Sequence, residues 1–141
     1  MSQKLEITLV FESEQVQYYK GDIVSDLIPV RVGTALIQIR LENLSDQKVE
    51  FARLDWVGGQ PDFIKDDKVN QHLIVIRDEN EKDEQRGNFS FLPILRIIEK
   101  ADRPSARKAG ARREIPGPDP TIINTDIPGG VATTGRIRRV A

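Results

Sequence analysis

Apolar residues recur at every second position through several stretches of this chain. Leu5, Ile7, Leu9 and Phe11 alternate with Lys4, Glu6, Thr8 and Val10; Ala35, Ile37, Ile39 and Leu41 alternate with Leu36, Gln38, Arg40 and Glu42. Successive side chains of an extended strand point to opposite faces, so each set presents one apolar face. No heptad pattern or internal repeat competes with this period of two. A chain built from such segments has to bury sheet faces against each other.

Further strands follow from the same reasoning. Residues 12–20, polar around Val16, Tyr18 and Tyr19, allow a second short strand before the turn Lys20-Gly21-Asp22. Ile23 to Val32 is apolar but interrupted by Pro29, which cannot donate a ladder hydrogen bond; this predicts an edge strand or a crossing between sheets. In Lys48 to Val57 the apolar phase changes between Val49/Phe51 and Leu54/Trp56, which predicts a β-bulge near Ala52 and Arg53. His72 to Arg77 reads as a short strand. Asn88 to Ile98 is apolar in both phases, as a covered central strand would be, yet Pro93 demands a bulge or a switch between sheets there. Asp62 to Asn70 reads as a charged connector anchored by Phe63 and Ile64, and Asp78 to Gly87 as a long polar hairpin loop.

The expected architecture is all-β: a two-sheet antiparallel sandwich, immunoglobulin-like, of six to eight strands, with Trp56 in the buried core. One domain spans 1–125. Within it, 100–119 reads as a mobile basic loop, because it has prolines and, from Arg103 to Arg113, five basic residues but no apolar stripe. Residues 126–141 read as a flexible basic tail.

Charge is unevenly placed. Residues 1–95 hold 11 Lys and Arg against 17 Asp and Glu; residues 96–141 hold 10 against 5. An acidic body and a basic C-terminal region attract each other, within or between chains, and salt weakens such contacts. The overall charge of −1 gives no global reason to bind nucleic acid or an anionic membrane. There is no cysteine, which removes disulfides, thiolate nucleophiles and cysteine-based zinc sites. No apolar run is long enough to span a membrane and the N-terminus carries no secretory signal, so the cytoplasm is the expected location.

Gly87-Asn88-Phe89-Ser90-Phe91, followed after a loop by Asp119-Pro120-Thr121-Ile122-Ile123-Asn124, resembles segments of small bacterial β-sandwich proteins of unassigned function, the DP-EP family among them. In those proteins an Asp-Pro-x-Ile segment looks like the closing strand. The resemblance implies a sandwich and carries no activity with it.

Chemistry-bearing residues are sparse. His72 is the single histidine, and no Gly-x-Ser-x-Gly elbow supplies a nucleophile for a triad, so a surface histidine is expected. Asp78, Glu79, Glu81, Asp83 and Glu84 offer oxygen ligands to a hard cation, but their spacing is not that of an EF-hand, and Lys82 and Arg86 dilute the charge; a solvated hairpin is the simpler reading. Asp62, Asp66 and Asp67 complete such a site only if the loops meet. The pairs Gly58-Gly59 and Gly129-Gly130 open no phosphate-binding helix. No catalytic, cofactor-binding or metal-binding residue is assigned.

Two sets remain as interaction candidates. Arg103, Arg107, Lys108, Arg112 and Arg113 suit an anionic ligand, although residues 92–141 contain no aromatic side chain to stack on a base. Thr121, Ile122 and Ile123 are suited to adding as a strand to a neighbour, and Arg136, Arg138 and Arg139 to docking on an acidic surface. The expectation is therefore a non-enzymatic sandwich acting through protein contacts, above all self-association. The alternatives are a phage or assembly component, a module for anionic ligands, and a hydrolase using loop carboxylates.

Overall fold

The computed structural model describes residues 3–98, 112–116 and 119–128. The elements are β1 (Gln3–Glu12), β2 (Gln15–Lys20), β3 (Ile23–Val24), β4 (Leu27–Val30), β5 (Gly33–Asn43), β6 (Lys48–Trp56), β7 (Ile64–Val69), β8 (Leu73–Asn80), a single 3-10 turn (Asp83–Gln85), β9 (Gly87–Ile98), β10 (Arg112–Pro116) and β11 (Thr121–Asn124). They form two mixed sheets packed as a sandwich. The first runs β3-β2-β1-β5-β8-β7. In the second, β9 pairs with β6 on one side and with both β10 and β11 on the other, and β4 lies beyond β11. No helix among the described residues is long and apolar enough to cross a membrane.

The sheets are mixed rather than purely antiparallel: β1 pairs parallel with β5, and β4 parallel with β11. The cause is the segment 23–32. It leaves the first sheet at β3, crosses to the second as β4, and returns as β5. Parallel neighbours need a crossover connection, and here a strand of the opposite sheet supplies it in place of a helix. Pro29 is tolerated because β4 is an edge strand, as its missing N–H requires.

The alternating sets behave as the period of two demands. Ile7, Leu9 and Phe11 of β1 and Ala35, Ile37 and Ile39 of β5 are buried, together with Ile74 and Ile76 of β8. Opposite them lie Ile28 and Val30 of β4, Val49 and Phe51 of β6, Phe91, Leu95 and Ile97 of β9, and Ile122 of β11. The register of β6 on β9 slips between Phe51 and Arg53, leaving Ala52 as the extra residue of a bulge. Along β9 the partner changes at the proline: Gly87 to Ser90 pair with β11, and Ile94 to Ile98 with β10. The Phe91 N–H bonds to Pro120 on that side. Two residues on, Pro93 turns its donorless nitrogen the same way, into the gap between the two partners.

Several expectations are corrected. The described residues form eleven short strands, where six to eight were expected. The supposed connector 62–70 contains β7, whose charged residues suit an exposed edge. The supposed loop 78–87 is strand as far as Asn80, and Asp78 and Asn80 point inward, fully buried. Part of the supposed loop 100–119 is β10, held by a cross-strand ladder in which Arg96 of β9 meets Glu50 of β6 at 3.2 Å and Glu114 of β10 at 4.0 Å. Trp56 is half-buried rather than central. Its ring packs 5.2 Å from Phe91, and its indole N–H donates to Asp66 at 3.3 Å, so it sits where the core meets water. The tail assigned to 126–141 begins docked, with the Ile127 carbonyl accepting from the Val32 N–H; residues 99–111 and 129–141 lie outside the described residues.

Candidate functional site

An exposed sheet edge is a template for another chain unless something blunts it. Each of three edges here is blunted. On β7, the edge of the first sheet, Lys65, Asp66, Asp67 and Lys68 are all exposed, and the register slips between Asp66 and Lys68. At the other end β3 is two residues long. On β4, Asp26 and Val30 turn their carbonyls to β11, so Leu27 and Pro29 face outward. The Ser25 hydroxyl sits 3.2 Å from the Leu27 N–H and 3.4 Å from its carbonyl, and Pro29 has no N–H to offer.

Thr121, Ile122 and Ile123, expected to add as a strand to a neighbour, instead form β11 inside the chain's own sheet. They pair with Leu27, Ile28 and Pro29 on one side and with Ser90, Phe89 and Asn88 on the other. The Ser90 and Thr121 hydroxyls meet at 2.9 Å. Of the expected anion contacts, Arg112 is paired through its backbone with Ile98, and Arg113 bonds Glu14 at 2.8 Å. Arg103, Arg107 and Lys108, like Arg136, Arg138 and Arg139, fall outside the described residues.

His72 is exposed in the turn between β7 and β8. Asp67 is engaged by Arg77 at 2.7 Å, and Asp66 by Trp56 and Gln60. Among the described residues no group of three His, Asp or Glu side chains is placed to hold a metal ion.

Two clusters that the sequence reading did not single out are brought together by the fold. One is buried between the sheets. The amide of Asn124 donates to Asp78 Oδ1 at 3.0 Å and to the Gln85 carbonyl at 2.8 Å. The amide of Asn80 lies 2.9–3.1 Å from the carbonyls of Val30, Arg31 and Thr125. This ties β8 of one sheet to β4 and β11 of the other. Among the described residues no donor reaches Asp78 Oδ2, Asn80 Oδ1 or Asn124 Oδ1, and no acceptor reaches Arg86 Nε. Burial pushes the Asp78 carboxyl up to about 6; the Asn124 hydrogen bond opposes this and Glu79 adds to it. With Asp78 and Asn80 fully enclosed, a substrate has no path to them, and the cluster reads as a clamp. The signal for it was present: Asp78 and Asn80 continue the inward phase of Ile74 and Ile76.

The other cluster is an open groove of about 340 Å³ on the outer face of the first sheet. Thr8, Val10 and Glu12 come from β1, Tyr19 from β2, Gly21 and Asp22 from the turn after it, and Glu42 and Leu44 from β5 and its end. Pairing sets the spacing: Thr8 lies opposite Tyr19, and Val10 opposite Glu42. The β1–β2 hairpin closes through Ser13 and Glu14, both at positive φ (53° and 63°), the signature of a two-residue primed turn. It sets Glu12 at the groove. Among the described residues no Lys or Arg forms an ion pair with Glu12, Asp22 or Glu42. Arg40, in register with Thr8, stands two residues before Glu42 on the same face. Three carboxylates, one aromatic ring and an exposed leucine suit a cationic peptide segment with some apolar content.

Neither the protein-family models nor the curated proteins contain a match to the chain.

Proposed function

We propose that this protein is a non-enzymatic, self-associating β-sandwich in which the basic C-terminal segment of one copy docks in the acidic groove of another. The observation that carries the reading is charge complementarity. The groove gathers Glu12, Asp22 and Glu42, and residues 129–141 hold three arginines (Arg136, Arg138 and Arg139) and no acidic residue.

Reach favours a second copy. The described chain ends beside Val32, where Ile127 is bonded at the start of β5, whereas the groove lies against Glu42 near the end of β5. Ten residues of strand separate those points, about 33 Å. The nine residues from Pro128 to Arg136 carry the chain about 30–32 Å from Ile127 when fully stretched. Arg138 and Arg139 approach their own groove only from a taut segment, while a neighbour's groove imposes no such limit. An arm docked in another copy's groove is either returned by that copy, closing a two-fold dimer, or passed on into a ring or an extended assembly. The blunted β3, β4 and β7 edges speak for docking through side chains rather than strand addition.

The test is sedimentation of the full chain against two full-length charge reversals, R136E/R138E/R139E and E12K/D22K/E42K. Wild-type protein should associate at low salt and dissociate as salt rises. Each variant should be monomeric, and mixing the two should restore a salt-sensitive complex, because the reversed groove then meets the reversed arm. A monomeric wild type, or association that survives arm reversal, rules the reading out. Shortening the chain is informative only beyond Pro128, since β10 and β11 are built into the second sheet.

A further inference from the structure

Arginine and lysine carry the same charge but differ in shape. A guanidinium is planar, stacks on aromatic faces and donates through a fixed fork, whereas an ammonium is compact and strongly hydrated. The groove offers a ring and a carboxylate side by side. Tyr19 is the single aromatic side chain that β1, β2 and β5 turn to the outer face; Phe11 and Tyr18 are buried on the inner one. Its ring is half-buried, and its hydroxyl donates to Gln17 Oε1 at 3.1 Å, two residues back along β2. Across the ladder it meets only Thr8 of β1 and Val24 of β3. Among the described residues the ring stacks on no cation and no second ring. Asp22, in the two-residue turn between β2 and β3, lines the same groove.

We infer that Tyr19 is the specificity-determining residue of the groove: its ring, with the Asp22 carboxylate, takes a guanidinium of the second copy's arm, Arg136 or Arg138, in preference to a lysine ammonium. The inference rests on the arm-in-groove reading above and adds to its charge complementarity a requirement for arginine. Two further observations support it. The first is spacing. Val10 and its partner Glu42 lie two residues along the ladder from the row that joins Thr8 to Tyr19, about 7 Å away. A segment docked in extended form sets alternate side chains on one side at that same interval, and Arg136 and Arg138 are alternate residues. One guanidinium at Tyr19 therefore leaves the other at Glu42. The second is Arg40. It stands in register with Thr8 on the side away from Tyr19, and among the described residues it forms no ion pair. Its charge repels an incoming cation at that end of the row and favours the Tyr19 end.

The experiment is sedimentation of the full chain over a concentration series at low salt, comparing wild type with R136K/R138K, Y19F, Y19L and the combination of Y19L with the two lysines. Lysine keeps every charge of the arm. Leucine keeps an apolar side chain on β2 but removes the aromatic face, which phenylalanine retains. R136K/R138K and Y19L should each weaken association about fivefold, and Y19F should stay within about twofold of wild type. The combination should be no weaker than Y19L alone, because both changes remove one contact. Lysine arms that associate like wild type overturn the inference. So does Y19F that loses as much as Y19L, since the hydroxyl would then carry the effect, and so do losses that multiply on combination. Melting of the dilute proteins checks that Y19L folds; the lysine arm alters no described residue and decides the matter by itself. The two readings fail separately. If R136E/R138E/R139E abolishes association and R136K/R138K changes nothing, recognition is by charge and only this inference falls. If the arginine reversal does nothing, the arm-in-groove reading falls and takes this inference with it.

Discussion

The groove and the interior place the same chemical group in opposite surroundings. Glu12, Asp22 and Glu42 stand at an open face in contact with water, whereas Asp78 is enclosed between the sheets with one hydrogen-bond donor, the Asn124 amide. An exposed carboxylate keeps its hydration and offers its charge to a partner. A buried one loses hydration and favours the proton, which is why the Asp78 carboxyl is pushed up to about 6. The exposed acids are therefore open to a partner's charge, and the enclosed acid is tied into the contact between the two sheets. Tyr18 shows the same effect on a phenol: burial first, then the charges of Asp119 and Asp26, raise it far above its ordinary value.

The largest expected effect breaks the groove side of this contrast. Reversing Arg136, Arg138 and Arg139 together should eliminate association seen at low salt while leaving the melting temperature of the monomer unchanged, as sedimentation and calorimetry would show. Next comes the enclosed side. A folded-state carboxyl raised from 3.8 to about 6 stabilises the fold fully below about pH 4. That stabilisation is lost as pH rises through about 6. The loss is about 3 kcal/mol. Asp78→Asn keeps an oxygen for the Asn124 amide and removes the charge. Denaturant titrations should find it more stable than wild type by up to about 3 kcal/mol at pH 8 and by nothing at pH 4. Equal stability of the two proteins across that range would mean the Asp78 charge is compensated by a route other than protonation.

Smaller changes sharpen the comparison. Asn124→Ala leaves Asp78 without its donor and the Gln85 carbonyl unpaired, and should cost about 2 kcal/mol of unfolding free energy. Ser13→Gly relieves a positive-φ position in the hairpin beside the groove and should raise stability by about 1 kcal/mol, with association unaffected. Arg113→Ala removes an exposed pair with Glu14 and should shift stability by less than about 0.5 kcal/mol, which a salt titration of the melting temperature can bound.

How much of this was legible depended on whether one face of a segment is buried. β1 and β5 could be read directly because Ile7, Leu9, Phe11, Ile37 and Ile39 form the core while their neighbours meet solvent. Proline and phase arguments also held at two places: Pro29 marks an edge strand in a segment that crosses between sheets, and Ala52 is the bulge; at Pro93, in place of the expected bulge or switch between sheets, β9 changes partner within one sheet. β7 was illegible because, apart from Ile64, it is exposed on both faces and shows no alternation. Asp78 and Asn80 were misread because polar residues ordinarily mark a loop; only their phase with Ile76 betrays an inward position. The groove lay beyond reach, since it joins Glu12 and Asp22 to Glu42 through a parallel pairing that no local pattern encodes.

Side-chain periodicity, a property of each short segment, settled by itself that this chain makes two stacked sheets and, in β1 and β5, which residues face inward. Partner choice is different. Whether β5 lies parallel to β1, and whether β11 fills a slot between β9 and β4, depends on many weak contacts between distant segments. Only the assembled sandwich decides them. The neighbours of a carboxylate are set at that level, so the same group is open to water at Glu42 and enclosed as part of a clamp at Asp78.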